Sequence, residues 1–134
     1  MNAVTWLRVA RGYAFAVGAM DFLTGLGLVT MPELTLGLMQ AEAPGEEAWV
    51  FVRFLGAFVG AVGASYLWAA RSGSGSLRTT LIVTLFFRGS AGTFAAGAVL
   101  TGHLGLVWLG VAVTDLGCVA AQLWWLRRGA DGDA

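Results

Sequence analysis

Most of the residue types that carry enzyme chemistry are scarce in this 134-residue sequence. It contains one cysteine, Cys118, one histidine, His103, and no lysine. A single cysteine excludes an intrachain disulfide and any Cys-x-x-Cys redox or zinc motif. One histidine excludes bis-histidine haem ligation, and the sequence has neither a glycine-rich phosphate loop nor a basic stripe for nucleic acid. We therefore expect no catalytic residue set, no metal site, no cofactor and no nucleic-acid partner.

Charged residues are scarce as well. They make up 12% of the sequence against 57% hydrophobic residues, and the mean hydropathy is +0.74. These values lie well outside the averages for soluble domains, and a soluble domain this small could not bury so much apolar surface. The composition predicts a protein whose solvent is the lipid bilayer.

Four apolar stretches are long enough to cross a membrane, since a hydrocarbon core of about 30 Å needs about 20 helical residues. They cover residues 12–31, 49–70, 79–100 and 104–126. Alternation with a period of two residues is absent, which favours helices over barrel strands. We predict an all-α fold in which residues 1–128 form an antiparallel bundle of four transmembrane helices and residues 129–134 form a disordered tail.

Arginine is distributed on one side of these spans. The connections between spans one and two, and between spans three and four, contain none, whereas arginines flank the termini and the middle turn: Arg8, Arg11, Arg71, Arg78, Arg127 and Arg128. By the positive-inside rule this pattern predicts cytoplasmic termini. We expect a multi-pass protein of the bacterial inner membrane.

The connection between spans one and two is long for a simple turn. Thr30, Pro32 and Glu33 are typical of a capped helix start, and the short apolar segment that follows predicts an interfacial helix that ends at Ala43-Pro44-Gly45. The alternative is an ordinary solvated loop. The segment 72–76, Ser-Gly-Ser-Gly-Ser, predicts a flexible linker between spans two and three.

Four charges interrupt the apolar spans, one in each: Asp21, Arg53, Arg88 and Asp115. A lone charge at the centre of a spanning helix costs about 2.5–3.5 kcal/mol on insertion scales, so these residues are expected to face inward and pair. Spans three and four form a hairpin that places Arg88 and Asp115 at a similar depth, which predicts an ion pair. Asp21 is expected either to reach Arg88 or, with Arg53 bent inward, to close a four-residue network. The alternative for Arg53 is to extend to the outer interface.

Small residues accompany these charges and predict close helix contacts. The glycines at helical spacing are Gly18, Gly25, Gly56, Gly60, Gly63, Gly92 and Gly117. Such faces let helix backbones approach in a membrane. Tyr66 is expected either to line the same interior or to face lipid, and Gln122 to form a hydrogen bond between helices.

The same residues carry a family resemblance. Segment 25–32, Arg53-x-x-Gly56 with Gly60 and Gly63, Arg88 and Asp115 follow a pattern that resembles the DoxX-like group of small four-span bacterial membrane proteins. The resemblance implies a four-helix membrane bundle, sometimes associated with quinol-oxidising or thiol-oxidative-stress complexes. The redox cysteines that would support a catalytic role are absent from this sequence.

Three function classes follow. The leading hypothesis is an accessory or helper subunit that docks through its glycine faces on other membrane subunits or on a second copy of itself. The alternative is a transporter or a lipid- or quinone-binding protein whose polar interior takes a small lipophilic ligand. A third class, a small membrane enzyme that uses Asp115 and Arg88 on a lipid, has no general base beyond the carboxylates.

Overall fold

The computed structural model describes the backbone of residues 3–130 and the side chains of residues 4–128. Within these residues the chain is helical, without a strand. The helices are α1 (Ala3–Thr30), α2 (Pro32–Leu38), α3 (Trp49–Arg71), α4 (Ser74–Leu100) and α5 (Leu109–Ala130). Two short 3₁₀ turns, Glu46–Ala48 and Leu106–Trp108, lead into α3 and α5.

Four of these helices, α1, α3, α4 and α5, are long and apolar enough to cross a membrane. Large apolar side chains remain exposed along all four, among them Phe51, Phe86, Phe94 and Val113, each at least 70% exposed. Such exposure is normal where the solvent is lipid and costly where it is water. The chain therefore has the all-helical architecture of a small multi-pass membrane protein, as the sequence predicts.

The helix bounds differ from the predicted spans in both directions, with some helices continuing past the apolar segments and one starting inside its segment. Helix α1 starts at Ala3, nine residues before the predicted span, and α4 starts at Ser74, inside the segment 72–76 predicted as a flexible linker. Helix α5 starts at Leu109, five residues later than predicted, and continues to Ala130. The predicted disordered tail is thus helical in its first two residues, and residues 131–134 lie outside the described part of the chain.

The short helix α2 exists, but it begins differently from the prediction. Met31, not Thr30, precedes its first residue, and no side chain caps it. The Thr30 hydroxyl instead donates to the Leu26 carbonyl inside α1, at 2.7 Å. Thr30 therefore belongs to the last turn of α1, and Pro32 in the first turn of α2 is the part of the predicted start that holds.

Helix α2 also ends earlier than predicted. Its last residue is Leu38, and Gln40 adopts a positive φ of 57°. The backbone amides of Gln40 and Ala41 donate to Gly37 and Leu36 at 3.0 and 2.9 Å. This left-handed turn satisfies the terminal carbonyls in the way that helix C-caps commonly do. The helix therefore ends five residues before Ala43, the first residue of the predicted terminating segment Ala43-Pro44-Gly45.

The long helices pack as two close pairs, α1 with α3 and α4 with α5. In the first pair, Gly18 lies against Gly63 and Gly25 against Gly56, so contacts run in opposite order along the two helices. In the second pair, Arg88 of α4 contacts Asp115 of α5. Thr84 lies one turn before Arg88, and it contacts Gln122, which lies seven residues after Asp115. The contact order is again reversed.

The two pairs meet in an apolar cluster at one end of the molecule, where α1 and α4 begin and α3 and α5 end. Its fully buried members are Ala10, Ala14, Tyr66, Ala69, Leu77 and Leu81. Small residues from α1 and α3 allow the larger leucines of α4 to fill the space between them. This cluster lies directly beside the polar centre described next.

Candidate functional site: a buried Arg88 network

The polar centre is organised around Arg88, whose side chain is only 4% exposed. Its Nη1 donates to Asp115 Oδ1 of α5 at 2.5 Å, and its Nη2 donates to Asp21 Oδ2 of α1. Its Nε donates to the Tyr66 hydroxyl of α3 at 3.0 Å, and its Cζ lies 5.4 Å from the centre of the Tyr66 ring. One guanidinium on α4 thus binds a partner on each of the other three long helices. Its planar fork of donors suits this role.

The charges at this centre do not balance. Asp21 and Asp115 face a single arginine, so the three side chains sum to a formal charge of −1 when both carboxyl groups are ionised (one positive, two negative). Each carboxylate uses one oxygen for Arg88 and remains 13–14% exposed, more than Arg88 itself. An ionised carboxylate can accept about four hydrogen bonds, so acceptor capacity is left over.

Arg53 is not part of this centre. Its side chain is exposed, and its Nη1 donates to the backbone carbonyl of Val29, next to the last residue of α1. The final carbonyls of a helix lack intrahelical partners, and a cation at that end is favourable to the helix dipole. Of the two possibilities that the sequence leaves open, the side chain follows the outward one. The structure brings Asp21, Arg88 and Asp115 together and leaves Arg53 at the end of α1.

Tyr66 extends the polar centre along the bundle towards Gln122. The Gln122 side chain is fully buried, and its Nε2 lies within hydrogen-bond distance of the Tyr66 hydroxyl, the Tyr13 hydroxyl at 3.0 Å and Thr84 Oγ1 at 3.3 Å. Its two hydrogens are therefore shared among three acceptors. The Thr84 hydroxyl donates in turn to the Thr80 carbonyl at 2.7 Å. A continuous polar chain therefore runs over about 10 Å, the rise of the seven residues from Asp115 to Gln122.

Within this series of polar side chains, Gln122 Oε1 has no hydrogen-bond partner among the described residues. A buried amide oxygen without a hydrogen bond is costly. Rotation of the amide by a half-turn would let Oε1 accept from the Tyr13 and Tyr66 hydroxyls and would leave the nitrogen unpaired instead. In both orientations, one of the two polar atoms of the Gln122 amide has no hydrogen-bond partner among the described residues.

Glycines bring the helices close enough for these contacts. A Cβ on Gly18 would lie 2.8 Å from Tyr66 Cβ, and one on Gly92 would lie 3.1 Å from Asp115 Cβ. The first distance is shorter than side chains tolerate, and the second would require Asp115 to shift by a few tenths of an ångström. Gly18 therefore sets the approach of α1 to the helix that carries Tyr66, and Gly92 sets the approach of α4 to the helix that carries Asp115.

The other predicted packing glycines divide into two groups. Gly25, Gly56, Gly60 and Gly63 lie in the contact between α1 and α3, where Gly25 would place a Cβ 2.6 Å from the Gly56 carbonyl oxygen. Gly117 differs, because a Cβ there would have no described neighbour within 4 Å. Gly117 is thus not in a helix contact within this chain, because it lies on the exposed side of α5.

Sequence reasoning did not select Tyr13 or Thr84 as site residues. Thr84 precedes Arg88 by four residues and so lies on the same helix face, a signal that the sequence does contain. Tyr13 lies near the start of α1, at a position typical of the aromatic belt at membrane interfaces. Its hydroxyl nevertheless turns inward, with its ring centre 4.6 Å from that of Trp125. Helical spacing gives no direct sign of that inward turn.

Comparison with known proteins adds no further constraint, since no family model, curated protein or solved structure matches this chain.

Proposed function

We propose that this chain is a small, non-enzymatic helper subunit of a membrane protein assembly, whose shape is fixed by the Arg88 network. The observation that carries the proposal is the closure of that network, in which Arg88 binds Asp21, Asp115 and Tyr66 on three different helices. Buried polar and ionic groups specify helix order and register in some proteins. A network that joins all four long helices suits a protein that presents a fixed outer surface to a partner.

The outer surface supports a docking role. The exposed side of α5 carries Gly117, which has open space in place of a neighbour. Small residues on a lipid-facing side let another helix approach closely, and such faces are common where membrane helices associate. The partner in this proposal is another membrane subunit or a second copy of the chain.

The proposed setting is an antiparallel bundle in the bacterial inner membrane with both termini in the cytoplasm. The reversed contact order within both helix pairs supports the antiparallel arrangement. The arginines at the end where α1 begins and α5 ends support cytoplasmic termini. The short helix α2 then lies at the outer interface, and membership of the DoxX-like group remains a prediction from the sequence pattern.

A second candidate function, a transporter or a lipid- or quinone-binding protein, is favoured by the charge imbalance. Asp21 and Asp115 each retain a carboxylate oxygen beyond the one that binds Arg88 and are 13–14% exposed. A ligand with a hydrogen-bond donor in its head group, such as a hydroquinone, fits that surplus of acceptors.

One experiment separates the two candidates. In cells that lack the gene, quantitative mass spectrometry of the membrane fraction identifies the membrane proteins whose abundance falls. The wild-type chain and the triple variant Asp21→Leu, Arg88→Leu, Asp115→Leu are then expressed from a plasmid at equal levels. A helper subunit predicts that both restore the lost proteins when the triple variant folds, because three leucines can pack in place of the buried ionic group and leave the outer surface unchanged.

Two outcomes contradict the helper proposal. If the deletion changes the abundance of no other membrane protein, the chain supports no assembly. If the triple variant folds and accumulates normally but restores nothing, the polar interior performs the function, and the ligand-binding candidate replaces the helper.

A further inference from the structure

A groove lies on the surface of α5 at the end where the helix terminates. It is open to its surroundings, has a volume of about 520 Å³ and is lined by five residues of α5: Ala120, Leu123, Trp124, Arg127 and Arg128. The guanidinium of Arg128 lies over the ring of Trp124, with Cζ 4.6 Å from the ring centre. The groove therefore has an apolar floor along the helix and a cationic rim at its end.

The two arginines have unused binding capacity. Neither Arg127 nor Arg128 forms an ion pair with any residue that the structure describes. Both are exposed, and α5 ends within two residues of Arg128. Arginine presents a planar set of donors that matches phosphate oxygens. Its position at the end of a membrane-spanning helix corresponds to the depth of lipid phosphates.

The apolar floor matches the other part of the same molecule. Leu123 and Trp124 are 40% and 47% exposed, and with Ala120 they continue from the arginines towards the middle of the span. An acyl chain extends from its phosphate in that direction. Tryptophan is also favoured at the interface, where one side of the ring is apolar and the other polar.

From this arrangement we propose that the groove is a binding site for one anionic glycerophospholipid, with its phosphate at Arg127 and Arg128 and one acyl chain along Ala120 and Leu123. Among the residues that the structure describes, no carboxylate forms an ion pair with Arg127 or Arg128. An anionic lipid is favoured over a zwitterionic one because the cationic ammonium of a zwitterionic head group would lie beside these two cations. Basic sites at the cytoplasmic ends of membrane helices bind anionic head groups for the same reason. The proposal is independent of the function of the Arg88 network.

The test uses the purified full chain, delipidated in a nonionic detergent. Native mass spectrometry measures binding of palmitoyl-oleoyl phosphatidylglycerol, of phosphatidylcholine with the same acyl chains, and of inorganic phosphate. We expect phosphatidylglycerol to bind more tightly than the other two. Replacing both groove cations, Arg127→Gln with Arg128→Gln, should weaken phosphatidylglycerol by about fivefold per arginine, or about 25-fold together.

A matched control removes the same charge from the same end of the molecule. Arg71 ends α3, where its Nη1 donates to the Leu67 carbonyl, and Arg78 lies in the first turns of α4. The control pair Arg71→Gln with Arg78→Gln should leave phosphatidylglycerol binding within about twofold of the wild type, because neither residue lines the groove. A second variant, Ala120→Phe, fills the groove without a change of charge and should also weaken binding.

Each contrary result overturns the proposal. An equal loss in the control pair would mean that the lipid responds to overall charge and not to the groove. Unchanged binding of phosphatidylglycerol to Ala120→Phe would mean that no acyl chain occupies the groove. Binding of inorganic phosphate as tight as that of phosphatidylglycerol would mean that the site recognises the anion alone. Thermal unfolding in the same detergent confirms that each variant is folded before its binding is compared.

Discussion

Arg88 and Asp115, 27 residues apart in the sequence, lie 2.5 Å apart between Nη1 and Oδ1 in the middle of the helix pair α4–α5. Both side chains are largely buried, with 4% of the Arg88 surface and 14% of the Asp115 surface exposed. In a membrane, such a pair is stable only if each charge has its partner, because each alone is costly to insert. The energetics of the whole bundle therefore depend on Arg88, to which Asp21 and Tyr66 are also bound.

Removing the Tyr66 hydroxyl should destabilise the protein while leaving its ring in place. In Tyr66→Phe, Arg88 Nε and Gln122 Nε2 both lose an acceptor inside the bundle. The cost of an unpaired buried group is about 1–3 kcal/mol, so we expect a loss of that size in the free energy of unfolding. Unfolding in mixed detergent and dodecyl sulfate, followed by circular dichroism, measures it.

Tyr13→Phe provides the matched control for this change. Within the network the Tyr13 hydroxyl contacts only Gln122, its other side-chain partner is the Cys118 thiol, and it is only partly buried. Its removal should cost about half as much or less, because one neutral hydrogen bond is worth about 1 kcal/mol. An equal loss of unfolding free energy in Tyr66→Phe and Tyr13→Phe would contradict the assignment of Tyr66 as the hydroxyl that joins Arg88 to Gln122.

Adding a methyl group at Gly25 should separate α1 from α3. In Gly25→Ala the new Cβ would lie 2.6 Å from the Gly56 carbonyl oxygen and 2.5 Å from Gly60 Cα, and both neighbours are backbone atoms. Overpacking of this kind typically costs about 1–3 kcal/mol, which the same unfolding titration measures.

Gly117→Ala tests the same substitution at an open position. Without a described neighbour within 4 Å, the new methyl group meets no obstacle, and alanine is favoured over glycine inside a helix by up to about 1 kcal/mol. We expect Gly117→Ala to be neutral or stabilising. A loss comparable to that of Gly25→Ala would mean that Gly117 packs against another helix, for example in an oligomer.

Arg53 should be far less important to folding than Arg88. In Arg53→Gln the carbonyl of Val29 loses one exposed hydrogen bond, and water or lipid head groups can replace it. We expect a change of less than about 1 kcal/mol in the free energy of unfolding. A loss of several kcal/mol would show that Arg53 turns inward and joins the carboxylates after all.

Much of the fold follows from the sequence because lipid imposes a simple rule on it. Apolar segments of sufficient length must be helical, so the four long helices follow from hydropathy. The contact between Arg88 and Asp115 follows from counting residues along a hairpin, since the rise per residue fixes depth. The contacts of Gly18 and Gly25 follow from helical spacing of small residues.

The remaining features depend on helix rotation and side-chain reach, which spacing does not specify. Arg53 is long enough to turn either way, and the free carbonyls at the end of α1 lie on the outward route. Tyr13 meets Gln122 only because the two helix pairs are joined by the apolar cluster beside them. The sequence around Thr30 fits a helix cap, but α1 includes Thr30, and its hydroxyl donates to the Leu26 carbonyl of α1 instead.

The most direct test of the account compares the free energy of unfolding of Arg88→Leu with that of the triple variant Asp21→Leu, Arg88→Leu, Asp115→Leu. Arg88→Leu leaves two carboxylates without their cation and should cost about 3–5 kcal/mol, whereas apolar replacement of a whole buried ionic group is often neutral or stabilising. We therefore expect the triple variant to recover most of the loss. A fully stable Arg88→Leu variant, or a triple variant as unstable as the single one, would contradict the claim that Asp21 and Asp115 depend on Arg88 as their buried counter-ion.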